Sequence, residues 1–184
     1  MTFQARTERL RLRSWQADDC RRFYDIMNTP AVMQWLGGVQ AYEKWCEGFE
    51  RLQGYERDFG FTFWIVERLD DDEMLGFCGL KRLNYEGAPN PGEMEIGWRF
   101  RESAWGKGYA REAAEKALEL AFERYGAARV SAVTVGGNTA SQTLMLRLGM
   151  IEDPALAYHD AVYSERYGPA RQWLITKYEW RARG

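Results

Sequence analysis

The chain has little cysteine, a single histidine and no long apolar run, and each scarcity removes a class of function. Cys20, Cys46 and Cys78 stand far apart and form no Cys-x-x-Cys, so neither a disulfide framework nor a zinc knuckle is indicated and a reducing compartment is expected. His159 alone supports neither a metal site nor a catalytic triad. No segment is apolar over the roughly 20 residues that a bilayer demands, and residues 1–12 carry Arg6, Arg9 and Arg11 without an apolar signal core. A basic block is also missing: 25 Lys and Arg are interspersed with 27 Asp and Glu, for a net charge of -2, which argues against nucleic acid or a membrane surface as partner. The expectation is a cytoplasmic chain whose partners are small molecules or protein termini.

What is present is apolar and aromatic. With 46% hydrophobic and 15% aromatic residues over 184 positions, the chain suffices for one filled core and is short for two, so residues 1–184 are expected to form a single domain. Residues 9–13 alternate polar and apolar as a half-buried strand does. A helix carrying Cys20, Phe23, Ile26 and Met27 inward follows, with Asp18 or a neighbour as its cap, and Thr29-Pro30 offers the start of a short second segment ended by Gly37-Gly38. Tyr42, Trp45, Phe49 and Leu52 recur at helical spacing, marking an amphipathic helix that closes before Phe61. Residues 61–66 and 74–80 flank the acidic turn Asp70-Asp71-Asp72 and read as a hairpin. After a loop with Gly87, Pro89, Pro91 and Gly92 come a strand over 93–100 and a helix over 110–125 with Ala113, Ala117, Ala121 and Phe122 inward. A strand over 130–135, a short helix over 141–148 ended by Gly149, and a final strand over 173–180 complete the order.

The chemistry begins on residues 93–100. Period-two alternation sends Met94, Ile96, Trp98 and Phe100 to one face and Glu93, Glu95, Gly97 and Arg99 to the other, a charged face around a glycine. Glycine within a strand marks a bulge or a close approach of backbone or ligand, and two carboxylates flank this one; a solvated outer face is the competing reading. The next segment, Trp105-Gly106-Lys107-Gly108-Tyr109-Ala110, joins that strand to an alanine-rich helix. Its glycines allow the backbone angles of an anion nest, Lys107 adds positive charge, and exposed N–H groups at the helix start suit a phosphate. Gly-x-x-x-x-Gly-Lys-Ser/Thr is absent, and Arg111 stands where Gly-x-Gly-x-x-Gly needs its last glycine.

Taken in order, Thr7-Glu8-Arg9-Leu10-Arg11-Leu12-Arg13, Glu95-Ile96-Gly97-Trp98, Trp105-Gly106-Lys107-Gly108-Tyr109-Ala110-Arg111-Glu112-Ala113, Asn138-Thr139-Ala140-Ser141 and Leu148-Gly149-Met150 resemble the GNAT superfamily of acetyltransferases. The branch resembled is the RimJ/RimL type, over nearly the whole chain. Where the superfamily turn usually opens with Gln or Arg, this chain has Trp105, a variant that the branch often shows. The resemblance implies an α+β fold in α/β/α layers, with a mixed, mainly antiparallel central sheet, a splayed strand pair and helices on both faces. It implies acetyl-CoA as cosubstrate, with no metal. The strand ending in Trp98, Arg99 and Phe100 would splay from residues 130–135, with pantetheine in the opening and the thioester beside Glu95. The backbone of Gly106, Lys107, Gly108, Tyr109, Ala110 and Arg111 would hold the pyrophosphate, and Asn138 would reach the pantetheine arm.

An amine must be neutral to attack a thioester. For a lysine-like amine of pKa about 10.4 the neutral form at pH 7 costs about 4 to 5 kcal/mol, while a terminal α-amine of pKa near 8 needs less help. Glu95, or Glu93 through water, is the candidate base, with backbone donors near a strand bulge for the oxyanion. The branch places a serine at Ser141 as candidate general acid for the leaving thiolate; helix capping is the rival reading of that residue. Tyr158 and Tyr163 rank below it. Cys78 reads as a small buried hydrophobe, and Trp35, Tyr42 and Trp45 as core or as walls of an acceptor pocket. The expected function is acetyl transfer from acetyl-CoA to a primary amine, on a protein N-terminus or a small molecule, by direct attack in a ternary complex; a non-catalytic acyl-CoA-binding module is the alternative. The aromatic final strand and the hairpin are candidate edges for a homodimer.

Overall fold

A computed structural model describes residues 2–183. The strands β1 (Gln4–Arg6), β2 (Leu10–Arg13), β3 (Phe63–Arg68), β4 (Met74–Arg82) and β5 (Met94–Phe100) run antiparallel to their neighbours. β6 (Arg129–Val135), β7 (Ile151–Glu152) and β8 (Ala170–Thr176) complete one sheet in the order β1-β2-β3-β4-β5-β6-β8-β7. The single parallel contact, β5 to β6, pairs Glu95 with Ser131 and goes no further, so the two strands splay toward Phe100 and Val135. This is the mixed, mainly antiparallel sheet that the resemblance implied.

Helices cover both faces, which is why β3 and β4 read as unbroken apolar runs rather than as alternating ones. On one face α3 (Tyr109–Glu119) sets Ala113, Ala114, Ala117 and Leu118 against Trp64, Leu80 and Ile96; the missing side-chain bulk lets helix and sheet approach closely. On the other, α1 (Asp19–Met27) and α2 (Tyr42–Phe59) bury Phe23, Met27 and Trp45 against Phe63, Ile65 and Phe77. The face of β5 that carries Glu95, Gly97 and Arg99 is therefore covered and not solvated.

Several expectations fail for local reasons. The final strand stops at Thr176, because Thr176 and Glu179 form a reciprocal capping box that starts α6 (Lys177–Arg181). β8 lies between β6 and β7, and the hairpin strands β3 and β4 sit mid-sheet, so neither supplies a pairing edge for a homodimer; β1 and β7 are the edges. Asp18 makes no cap hydrogen bond. Asp19 instead accepts from Gln16 N–H at 2.7 Å and pairs with Arg13 at 2.6 Å. Residues 30–37 form turns, not a helix, although Thr29 Oγ1 accepts from Val32 N–H at 3.3 Å. Beyond Glu119, α3 widens into a π turn over Leu120–Arg124. β1, β7 and the short helix α5 (Ser164–Tyr167), all brief, were not anticipated. Cys20 and Cys46, distant in sequence, bring their Sγ atoms to 3.8 Å as free thiols where α1 meets α2.

One buried network ties the sheet to α1. Arg13 reaches Asp19 at 2.6 Å and Glu67 at 2.5 Å, with all three side chains under 10% exposed. Burial pushes the Glu67 carboxyl up, but hydrogen bonds from Arg13 and Arg11 outweigh it and hold the carboxyl below its ordinary value. That stabilisation is present above the ordinary carboxylate pKa and is lost as pH falls through the lowered one. Glu67→Gln is expected to remove roughly 3–5 kcal/mol of stability, since it leaves a buried guanidinium undercompensated. Urea unfolding at pH 7 reads this as a lower midpoint, and an unchanged midpoint would refute it.

Candidate active site

The splay of β5 and β6 opens a cleft of about 720 Å³, lined on one side by residues 95–100, on the other by Val133, Thr134 and Val135, and at one end by the turn after β5. Gly106 and Gly108 take φ of +72° and +81° in that turn, in the left-handed region that a side chain disfavours. Among the described residues, none of the N–H groups of residues 106–111 meets a protein acceptor; the pattern resumes with Glu112 N–H on the Gly108 carbonyl at 3.1 Å. A run of free donors at a helix N-terminus is an anion site by its electrostatics. Trp105 braces the turn: its indole Nε1 donates to the Phe100 carbonyl at 2.8 Å, a structural use for the residue that replaces the usual Gln or Arg.

A second brace comes from the chain's opening motif. Glu112, in the first turn of α3, accepts from the Thr7 hydroxyl at 2.5 Å and from Arg9 N–H at 2.8 Å. Arg9 in turn pairs with Glu112 at 2.7 Å, donates to the Lys107 carbonyl at 3.1 Å and lies 4.7 Å from the centroid of the Tyr109 ring. Arg9 thus holds the peptide on which the free N–H groups ride. The cleft lining includes Gly106, Gly108, Tyr109, Ala110 and Arg111 but not Lys107, which contributes backbone and not a lining side chain. Arg111 also pairs with Glu115 at 2.9 Å.

Glu95 sits deep in the cleft wall, 4% exposed. The register of β4 on β5 sets Lys81 opposite it, with Nζ 2.7 Å from Oε2 in a contact that lacks the direction of a good hydrogen bond. The Tyr85 hydroxyl donates to Oε1 at 3.0 Å, and the Lys81 ammonium lies 4.0 Å from the Tyr85 ring centroid. Burial pushes the Glu95 carboxyl above its ordinary range, and Lys81 and Tyr85 offset that only in part. Such a carboxylate is more basic than one in water. Glu93 is different: it is taken up by Arg129 and Asn90 and lies outside the cleft lining, which removes it as a water-bridged base.

Gly97 has a packing reason. A Cβ there would stand 2.6 Å from the Phe63 ring, and β5 stays in regular register with β4; the bulge in this part of the sheet falls between Val66 and Glu67 of β3. The strand bulge expected beside Gly97 is therefore absent. Arg99, on the same face, turns its guanidinium over the Trp45 and Phe77 rings, 5.5 and 5.2 Å from their centroids. Trp98 and Phe100 face the opposite core.

Across the opening, Asn138 caps α4 (Thr139–Arg147): its Oδ1 accepts from Ser141 N–H at 3.2 Å. The cap is thus Asn138, and Ser141, a residue of the cleft lining, is the capped one. Asn138→Ala is expected to cost about 1 kcal/mol of stability and Ser141→Ala almost none, compared by thermal unfolding. A larger loss for Ser141→Ala would return it to a structural role.

Tyr158 and Tyr163 also line the cleft, whereas His159 is exposed outside it. Trp45 belongs to the second core, and Tyr42 packs on Tyr24. Trp35 lines the cleft, with its ring 2.4 Å from where a Cβ of Gly137 would be. Cys78 is fully buried, and burial pushes its thiol up, as for an inert core residue. Sequence reasoning missed Lys81 and Tyr85. The only available signal was a lysine closing an otherwise apolar strand.

The chain and its fold match known proteins. A family model described as an acetyltransferase (GNAT) domain matches residues 9–151, and the chain belongs to that family, whose members transfer an acetyl group from acetyl-CoA. An uncharacterised Bacillus subtilis (strain 168) protein, YkkB, is 32% identical over 145 residues, 78% of this chain and 83% of that protein. The crystal structure of an acetyltransferase from Agrobacterium tumefaciens str. C58 superposes with a TM-score of 0.81 at 24% identity, covering 95% of each chain. A spermidine N-acetyltransferase from Vibrio cholerae, solved in complex with CoA and spermine, superposes with a TM-score of 0.72 at 18% identity, over 95% of this chain and 99% of that one. No helix among the described residues is long and apolar enough to cross a membrane.

Proposed function

We propose that this acetyltransferase acts on a small-molecule primary amine, by direct attack on acetyl-CoA in a ternary complex. The observation that carries the choice of acceptor is a contact that borders the cleft. The segments around Gly37 and Tyr167 meet beside the lining residues Trp35, Leu36, Tyr163 and Ser164: the Tyr167 hydroxyl accepts from Gly37 N–H at 3.2 Å, Arg166 donates to the Gly37 carbonyl at 3.3 Å, and the Trp35 and Tyr167 rings lie 5.7 Å apart. A cleft bordered in this way suits a compact acceptor better than a protein surface leading to its N-terminus. The opening motif, the Trp105 turn and Ser141 support a place in the RimJ/RimL-like branch, without extending that branch's protein acceptors to this chain.

In this reading the free N–H groups of residues 106–111 take the diphosphate of the coenzyme, and its pantetheine arm lies between β5 and β6, where the amide nitrogen of Asn138 is left over from capping. Glu95 takes the proton of the incoming ammonium. Its pKa is raised by burial, which narrows the uphill step from the ammonium. The Ser141 hydroxyl donates to the departing thiolate. Ser141→Ala is expected to lower kcat about tenfold, less than the usual 10²–10⁴ of acid–base catalysis, because a thiolate leaves readily.

Free CoA thiol release, measured with a panel of small primary amines and with octapeptides bearing free N-termini, tests the acceptor class. Turnover of small amines, with the peptides inert or far slower, is expected; preference for the peptides would overturn the assignment.

A further inference from the structure

We infer that Arg99 is a carboxylate-recognition residue in the acceptor half of the cleft, so that the amine acetylated here belongs to an amino-acid-like molecule; this rests on the small-molecule reading above. Arg99 shares its face of β5 with Glu95 and Gly97 and lines the cleft. Its guanidinium lies over the Trp45 and Phe77 rings. Among the described residues it has no carboxylate partner: Nη1 faces the Met33 sulfur at 3.8 Å, and that is its one polar contact.

The chain's fully buried cations are treated differently. Arg13 holds Asp19 and Glu67, and Lys81 holds Glu95. A half-buried cation without a counter-ion is unfavourable, and packing on aromatic rings compensates only in part. Burial pushes Arg99 down to about 10, so it remains charged at neutral pH. Held against these rings and without a carboxylate partner, it offers the planar paired donors that match a carboxylate bidentately. Arg99 stands about 6.6 Å along the strand from Gly97 and about 13 Å from Glu95, a span that an arginine side chain and a compact amino acid bridge together. One wall then reads both ends of a zwitterion, the ammonium at Glu95 and the carboxylate at Arg99.

The test compares the proteinogenic amino acids with their primary amides and their decarboxylated amines, by CoA thiol release, in wild type, Arg99→Met and Arg99→Lys. A charge-assisted pair implies that at least one acid exceeds its amide and its amine by about tenfold or more in kcat/KM. Arg99→Met should erase that preference by slowing the acid much more than the amine, and Arg99→Lys should retain part of it. Equal losses for acid and amine, or a wild-type preference for amines without a carboxylate, would overturn the inference. A second readout does not need turnover: with CoA bound, N-acetyl amino acids should raise Tm more than N-acetyl amines do, and Arg99→Met should abolish the difference. If that difference appears while no acceptor is acetylated, the carboxylate site stands and the transfer reading fails. If there is no difference, the carboxylate site fails even where amines are acetylated.

Discussion

Glu95→Gln is expected to lower kcat at pH 7 by about 10²-fold or more, with partial recovery as the pH is raised. The amide cannot take the proton of the attacking ammonium, so the variant must wait for the small fraction of amine that is already neutral, a fraction that grows with pH. In wild type, activity should fall on the acid side as Glu95 becomes protonated. Because burial raises that pKa, the fall should begin above the ordinary carboxylate range. The linkage has the same sign: Glu95 contributes stability below the ordinary carboxylate pKa and loses it as pH rises through the raised one, which leaves Lys81 to hold the ionised form at neutral pH. Removing the carboxylate leaves the Lys81 ammonium buried with no carboxylate partner, so the single variant should also lose roughly 3–5 kcal/mol of stability. The double variant Lys81→Met/Glu95→Gln separates the two effects. It should recover most of the stability and none of the rate. A pH–rate profile for Glu95→Gln that parallels wild type would remove Glu95 as the base.

Gly108→Val carries the other large effect. The residue before α3 sits at φ +81°. A left-handed conformation costs an ordinary residue roughly 1–2 kcal/mol, and a β-branched one resists it further. The turn should relax toward negative φ and swing its N–H groups out of line. Each charge-assisted hydrogen bond lost from phosphate is worth about 1.5–3 kcal/mol, so KM for acetyl-CoA should rise about tenfold to a hundredfold, with a smaller change in kcat at saturation. Calorimetric titration with CoA should show the same loss. Unchanged affinity would mean that the free N–H groups are not the anion site.

The parts of this architecture that were legible in the sequence are those whose cause is local. α2 and α3 announce themselves by helical spacing of Trp45 and Phe49 and of Ala113 and Ala117, and the αL glycine Gly60 closes α2 as such residues do. The turn at residues 105–110 was legible because glycines at positive φ are a backbone requirement, visible without tertiary context. What escaped depends on pairing between distant residues. Lys81 looks like a charged strand end until the β4–β5 register sets it against Glu95, and Tyr85 looks like a loop aromatic until its hydroxyl finds the same carboxylate. Gly97 suggested a bulge, whereas the cause was the Phe63 ring, two strands away on the same face. Arg99 was grouped with the coenzyme-binding residues by position along the strand, although alternation alone sends its side chain to Glu95's face. At the C-terminus, Trp173 to Trp180 passed for a strand because aromatic content outweighed the Thr176-x-x-Glu179 box, which was present in the sequence as a helix start.

The central claim is that an amine attacks acetyl-CoA directly within this cleft. Initial velocities of CoA thiol release over a grid of acetyl-CoA and amine concentrations test it most directly. Amine-dependent release with intersecting reciprocal lines is the expected result, since both substrates must be bound before transfer. Tight acetyl-CoA binding without amine-dependent release, or the parallel lines of a covalent acetyl-enzyme, would contradict it.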